Sequence, residues 1–468
     1  MRFVMIVLDG LRPDLVTAER MPALSALMAR GTRFAEARSV FPSETRVATP
    51  SLVTGCRPAS HGMVGNTVFD ANLAPDRLLR TKDRADFLVL SAGRESPLQR
   101  LTIGERLAAA GRSFAVVSAG TPGQTLVASP AATRLGQFRW NAADVDTADA
   151  KAAAARLGPT PPASVPNLER SRHACRVLTE FVLPEIKPDV ALFWCPEPDV
   201  SFHYRGLDGA DTRLAIAEAD TCVAAIVAWR DAQPDAGEIG LVVLSDHGHV
   251  TGPRKISVAK LMAEAGLPAS DGGTDITVAP AGAPGIWLRD KSLAPQVADW
   301  LATQDWFGSL LANDPSILPG RVAPLAMLNA EHARSADLVL LFAGSEGPDR
   351  FGIRGEAPFD AGDVPEGGGM HGGLHRRELA TVMGFEGGPF RVNATVRAMA
   401  DLTDVVPTLL HLLGVPLEGM DGRPLRAAWD AEADSVADPV RIEMPGAYVL
   451  EGGRQDGRFY PTALVRRT

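Results

Sequence analysis

Residues 3–10, FVMIVLDG, form an unbroken apolar run that stops on a carboxylate, Asp9, and a glycine. A strand wetted on one face alternates apolar and polar side chains, so six apolar residues in a row describe a strand covered on both faces, as in a parallel sheet. Two more runs repeat the pattern: residues 189–199, DVALFWCPEPD, end on Asp199, and residues 239–249, IGLVVLSDHGH, carry Asp246. Ligand sites in open α/β sheets gather beyond the carboxyl ends of the strands, so three acids are predicted to reach one sheet edge. Histidines accompany them. His203 lies four residues after Asp199, His247 directly follows Asp246, and residues 367–379, GGGMHGGLHRREL, supply His371 in a glycine-rich turn. Divalent ions such as zinc accept carboxylate and imidazole ligands, and this set predicts a site for two of them. Singly, each residue has a plain structural explanation: Asp9 as a turn former, His203 as a surface residue, the DHG triplet as a loop cap. The agreement of all three strand ends favours the metal site.

Helical patterns separate the strands. Residues 21–34 (MPALSALMARGTRF) and 101–120 (LTIGERLAAAGRSFAVVSAG) read as helix, glycine stop and strand, and residues 173–186 as a helix leading into the run that ends at Asp199. The alternation predicts right-handed crossovers and an α/β fold with a mostly parallel sheet sandwiched by helices. Residues 1–249 and 369–468 are expected to form the core, the latter with a capped helix at 401–416 and a tail. Residues 250–368 hold their own strand candidates (283–290 and 336–344) and a helical run (293–306), which predicts an inserted cap packed over the metal edge and shaping the pocket. Residues 122–165, rich in Ala, Pro, Thr and Gly, read as a surface excursion.

With 468 residues, 46% of them hydrophobic, the chain can bury a large core. A formal net charge of -9 offers no basic field for a nucleic-acid backbone, which argues against a polymeric nucleic-acid substrate. The four cysteines, Cys56, Cys175, Cys195 and Cys222, show no CxxC spacing and read as free core thiols. No signal-peptide pattern precedes the first strand, so a cytoplasmic location is expected, and no apolar run reaches the ~20 residues that span a bilayer.

Residues 41–55, FPSETRVATPSLVTG, place Thr45 at a predicted helix start among small residues, a suitable position for a nucleophile. Together the segments FVMIVLDGLRPD (3–14), TRVATPSLVTGCRPASHGMVGN (45–66), EPDVSFH (197–203), SDHGH (245–249) and MHGGL (370–374) resemble the alkaline phosphatase superfamily. The likeness is to its nucleotide pyrophosphatase/phosphodiesterase and phosphonoacetate hydrolase branches, and it runs from Met1 to about Pro424. It implies that Asp9, Thr45, Asp246 and His247 hold one metal while Asp199, His203 and His371 hold the other. It also implies that Asn66 donates to a non-bridging phosphoryl oxygen. The metals are expected to be zinc, with manganese as the other candidate. The chemistry agrees, since a threonine hydroxyl is a weak nucleophile until a divalent ion favours its alkoxide.

Other assignments carry less weight. Cys56-Arg57-Pro58-Ala59 partly matches a sulfatase pattern but has Ser60 where that pattern has arginine. Ser43 is a second hydroxyl with a poorer offset, His375 competes with His371, and His249 is expected outside the ligand set. For the substrate, Arg46 after the nucleophile suggests an anion-binding role, and Trp194 suggests a stacking platform. The resulting expectation is a hydrolase of phosphodiester or pyrophosphate bonds in a small phosphoryl or phosphonyl compound. Phosphonate hydrolysis, monoester hydrolysis and a metal-braced anion-binding protein are the alternatives. Oligomeric state is left open, with a homo-oligomer among the options.

Overall fold

The computed structural model describes residues 1–467. Its main sheet has eight strands: β1 (Arg2–Leu8), β2 (Thr32–Arg38), β3 (Phe114–Ser118), β4 (Phe138–Asn141), β5 (Val190–Cys195), β6 (Ile239–Leu244), β7 (Met383–Glu386) and β8 (Ala394–Asp401). Their order across the sheet is β8-β2-β7-β6-β1-β5-β3-β4. Only β7 runs against its neighbours, so the mostly parallel α/β sheet read from the apolar runs is the observed one.

The first strand is central. β1 pairs with β5 on one side, Leu8 opposite Cys195, and with β6 on the other, Val7 opposite Leu244. The strands carrying Asp9, Asp199 and Asp246 are therefore immediate neighbours and end at one level. Backbone bonds tie the strand ends together: Asp9 N–H donates to Cys195 O at 3.0 Å and Asp199 N–H donates to Asp9 O at 3.1 Å.

Both faces of β1 are buried, as its lack of alternation requires. Phe3, Met5 and Val7 pack on one face and Val4, Ile6 and Leu8 on the other. Five helices matter for the site: α1 (Pro22–Arg30), α2 (Thr45–Thr54), α3 (Asp199–Arg205), α4 (Ala210–Asp231) and α5 (Val405–Leu412). Helices α2 and α5 cover the first face, α1 and α4 the second. Helix α2 is enclosed almost all round, only Arg46 being partly exposed, and it stops at Gly55, whose φ of 65° is the left-handed conformation glycine adopts without strain. Asp401 caps the short turn before α5 and Gly414 ends it, as read from residues 401–416.

Residues 269–342 build a second, six-stranded sheet with its own core of Ile276, Val278, Ile286, Leu338 and Leu340 against Val297, Leu301 and Trp306. The strand candidates at 283–290 and 336–344 and the helix at 293–306 are found there, as Gly285–Leu288, Leu338–Phe342 and Ala294–Ala302. Residues 122–165 differ from expectation. They hold β4, the outermost strand of the main sheet, with Trp140 fully buried, and the inward helix Pro122–Ala128. A low-hydropathy, alanine-rich stretch reads as surface, yet Ala128, Ala131, Ala142 and Ala153 are buried because small side chains let backbones pack closely. Among the described residues no helix is long and apolar enough to cross a membrane.

Candidate active site

At the carboxyl edge of β1, β5 and β6 the side chains form two adjoining groups. In the first, His247 Nε2 lies 3.5 Å from Asp9 Oδ1, 3.3 Å from Asp246 Oδ2 and 3.3 Å from Thr45 Oγ1. In the second, Asp199 Oδ1 lies 3.3 Å from His203 Nε2, 3.0 Å from His249 Nε2 and 3.5 Å from His371 Nε2. The His247 and His371 rings stack at 3.7 Å between centroids and join the two groups.

Hydrogen bonding settles which atoms face the centre. His203 Nδ1–H donates to Gly369 O at 2.7 Å, His247 to Gly248 O at 3.1 Å, His249 to Gly10 O at 3.1 Å and His371 to Ser43 O at 2.8 Å. A carbonyl can only accept, so each Nδ1 carries the hydrogen and each Nε2 presents a lone pair inward, which is how metal-binding imidazoles are oriented. The carboxylates are arranged likewise. Asp9 Oδ2 accepts from Trp194 Nε1–H at 2.8 Å, and Asp246 Oδ1 accepts from the N–H groups of Gly10 at 3.0 Å and His247 at 3.1 Å. Their other oxygens, Asp9 Oδ1 and Asp246 Oδ2, together with Asp199 Oδ1 and His249 Nε2, are buried without a hydrogen-bond partner. The close histidine–carboxylate contacts lack hydrogen-bond geometry, so there lone pairs face lone pairs, while the Thr45 hydroxyl can donate to His247 Nε2. Only cations, or added protons, satisfy such a set, and the residues fit a divalent metal centre.

The electrostatics agree. Burial, then the charges of Asp246 and Asp199, push Asp9 well above the usual carboxylate range, and burial pushes Asp246 up to about 7. Burial holds His247 at about 3 and His371 well below its ordinary value. Burial also works against the ionised forms of Asp199 and His203, but their mutual attraction outweighs it, lowering Asp199 and raising His203. Three buried carboxylates cannot all ionise here without positive charge among them.

Every residue read from the sequence as a metal ligand comes to this cluster. His249, expected outside it, is brought in as well, because the two-residue spacing of the DHGH turn returns its ring beside His247. His375 is excluded: its Nδ1 accepts from Arg377 N–H at 3.1 Å and its Nε2–H donates to Ser345 O at 3.0 Å, so it caps a short helix. Ser43 is a clamp. Its hydroxyl donates to Gly373 O at 3.0 Å and accepts from Gly372 N–H at 3.1 Å, holding the His371 turn against the start of α2. Asn66 meets the same helix start, where its Oδ1 accepts the Arg46 N–H at 3.0 Å. Trp194 is 0% exposed and offers no face for stacking; the indole orients Asp9 instead. Trp194→Phe keeps the core filled but leaves Asp9 Oδ2 unpaired, and metal affinity measured by chelator competition is expected to fall about 10–100-fold.

Gly10 is required where it stands. Its φ is +69°, and a Cβ there would lie 2.3 Å from His249 Cε1. Gly10→Ala is therefore expected to cost about 3 kcal/mol or more in denaturant unfolding of the metal-free protein, a loss that an unchanged midpoint would contradict.

A cavity of about 400 Å³ opens above Asp9, Thr45 and Asp199. Its walls come from residues 119–122, 124, 143, 163–165, 167, 170, 196 and 200 with Arg46, and none comes from residues 250–368, the segment expected to shape the pocket. That segment packs beside the His371 turn, through Leu311, Leu325 and Leu341 against Leu374 and Leu379. The sequence carried no signal for Gln124 or Arg170 on the cavity wall, since nothing local ties them to the strand ends.

A mostly parallel α/β sheet with this cluster at its carboxyl edge fits a metal-dependent hydrolase, and a family model described as type I phosphodiesterase / nucleotide pyrophosphatase matches residues 3–338. The chain belongs to that family of hydrolases. Murine ectonucleotide pyrophosphatase/phosphodiesterase 5 shares the fold, with a TM-score of 0.63 and 18% identity over 90% of this chain and 97% of that one. An inactive variant of the murine protein in complex with AMP aligns over the same shares with a TM-score of 0.62 and 18% identity. The bis(5'-adenosyl)-triphosphatase enpp4 of Xenopus laevis is 37% identical over 71 residues, a stretch that spans 15% of this chain and 16% of that relative.

Proposed function

We propose that this chain hydrolyses phosphodiester or pyrophosphate bonds of a small molecule through a phosphothreonine on Thr45. Asp9, Thr45, Asp246 and His247 would hold one divalent ion and Asp199, His203 and His371 the other, zinc in first place. The observation that carries this reading is the convergence of Thr45 Oγ1, three unpartnered carboxylate oxygens and four inward Nε2 atoms on one sheet edge. When bound, the two ions bring four positive charges against three carboxylates and one alkoxide, favouring the ionised Thr45 hydroxyl and offsetting charge on the phosphoryl oxygens.

The residues supply the rest. Thr45 has no competent general base: its nearest imidazole, His247 at 3.3 Å, is held at about 3 by burial. Its oxygen bonds to phosphorus as the leaving oxygen departs, and water then attacks the same phosphorus, returning the threonine. Asn66 gives its carbonyl oxygen to the Arg46 N–H, which leaves its NH₂ free to donate to a non-bridging phosphoryl oxygen. A second reading, cleavage of a phosphonate C–P bond, uses the same residues and is favoured by Arg46 on the cavity wall. The four cysteines, all buried and unpaired, support a reducing, cytoplasmic setting as part of this proposal.

The test compares chelator-treated and zinc-restored protein on bis-p-nitrophenyl phosphate, p-nitrophenyl phosphate and phosphonoacetate. Zinc-dependent turnover of the diester ahead of the other two is the expected result. No turnover of any of them by protein shown to hold two metals would replace the hydrolase with an anion-binding protein.

A further inference from the structure

The cavity above Thr45 has a composition of its own. Its seventeen lining residues include no Phe, Tyr, Trp or His, so it offers no aromatic face on which a nucleobase could stack. Its acids are Asp9 and Asp199 alone, both facing the cluster, and its bases are Arg46 and Arg170. Once cations meet the carboxylates, the remaining fixed charge on the walls is that of two guanidinium groups.

Two of the side-chain donors of the lining residues lack acceptors. Among the described residues neither Arg46 nor Arg170 forms an ion pair. Arg46 Nε is buried without a partner, and the Arg46 backbone N–H is held by Asn66. Arg170 donates through Nε to Pro161 O at 2.8 Å, which anchors the guanidinium and leaves its terminal nitrogens available. Gln124 is 1% exposed; its Oε1 accepts from Ser118 Oγ at 2.8 Å, so its NH₂ is turned the other way, and that nitrogen too is buried without an acceptor. Outside the cluster the cavity has one buried acceptor left unpaired, Asn167 Oδ1. Arg46, Arg170 and Gln124 all line this space of about 400 Å³, and a wall carrying two guanidinium groups and an amide suits an acceptor-rich anion.

We propose that the substrate carries, beyond the scissile phosphorus, a second small anionic group such as a carboxylate or another phosphoryl group, read by Arg46, Arg170 and Gln124 in place of a nucleobase. The inference deepens the proposed function and rests on its placement of the phosphoryl group at Thr45.

Binding tests it without turnover. In zinc-loaded Thr45→Ala protein, calorimetry would compare phosphonoacetate with ethylphosphonate, and AMP with methyl phosphate, after removal of free zinc. Phosphonoacetate is expected to bind at least about 30-fold tighter than ethylphosphonate, the range of one charge-assisted contact, and AMP within about threefold of methyl phosphate. Arg170→Met should bring the phosphonoacetate advantage below about threefold, and Arg170→Lys should restore part of it. Equal binding of phosphonoacetate and ethylphosphonate, or AMP more than about tenfold tighter than methyl phosphate, would overturn the proposal, and neither comparison needs a substitution at Arg46, Arg170 or Gln124. The two readings fail separately: the phosphonoacetate preference without zinc-dependent hydrolysis of bis-p-nitrophenyl phosphate by the unmutated chain keeps the anion site and removes the hydrolase, and hydrolysis without the preference does the reverse.

Discussion

Thr45→Ala is expected to lower kcat/KM for bis-p-nitrophenyl phosphate by about 10⁴-fold or more while the protein keeps both metals. The size follows from removing the atom proposed to bond to phosphorus, since loss of a nucleophile leaves only binding and electrostatic stabilisation of the transition state. Metal content should survive because the remaining ligands are held by contacts that Thr45 does not make: Nδ1–H bonds to backbone carbonyls, the indole on Asp9 and two backbone N–H groups on Asp246. The fold should survive too, because the buried face of α2 rests on Val47, Leu52 and Val53. Stopped-flow kinetics with elemental analysis checks both halves. Activity within tenfold of the unmutated chain would move the nucleophile elsewhere, and loss of a metal would make Thr45 chiefly a ligand.

Removing the metals is expected to destabilise the protein, and more so as pH rises. The sign follows from Asp246, whose carboxyl is raised from 3.8 to about 7 in the metal-free fold. A raised acid favours the fold while protonated, so its contribution is present below pH 3.8 and is lost as pH climbs towards about 7. Asp9 is raised as well and acts in the same direction. His247, held at about 3 in the metal-free fold and neutral as a ligand, affects both forms alike. The stability gap between zinc-loaded and metal-free protein should therefore widen by on the order of 3 kcal/mol between pH 5 and pH 8. Bound metal also stabilises by mass action, by about 4 kcal/mol when zinc stands a thousandfold above its dissociation constant. Urea unfolding with and without chelator at the two pH values measures the gap. A gap that is constant or narrows on going to pH 8 would mean that the carboxylates are not confined as described.

The centre of the fold was legible because each strand announces itself. The runs FVMIVL, DVALFWC and IGLVVL have no alternation to permit a wet face, and strands buried on both sides end at the edge where ligands bind. Spacing brought His203 and His247 into the reading because each is local to its acid. His249 was weighed as an outsider, since a string of letters does not tell which way the chain turns after Gly248; the turn carries its ring to Asp199, 50 residues away in sequence. The sequence is equally silent on Trp194. An aromatic near a strand end suits either a platform or the core, and only the register of β5 against β1 shows its indole beneath Asp9. Residues 122–165 read as a surface excursion, and the strand and buried helix found there instead escape the sequence because alanine carries little hydrophobic signal although it packs closely once folded.

Residue order alone therefore determined the sheet, the edge at which the acids arrive, the histidines beside them and the threonine at a helix start, because each follows from local patterning and a short chain of spacing. Only tertiary structure decided which imidazole nitrogen faces inward, which oxygens are left unpartnered and which residues wall the cavity. Most of those properties belong to contacts between segments a hundred or more residues apart, such as His371 with Ser43 or His249 with Gly10, which local patterning does not encode.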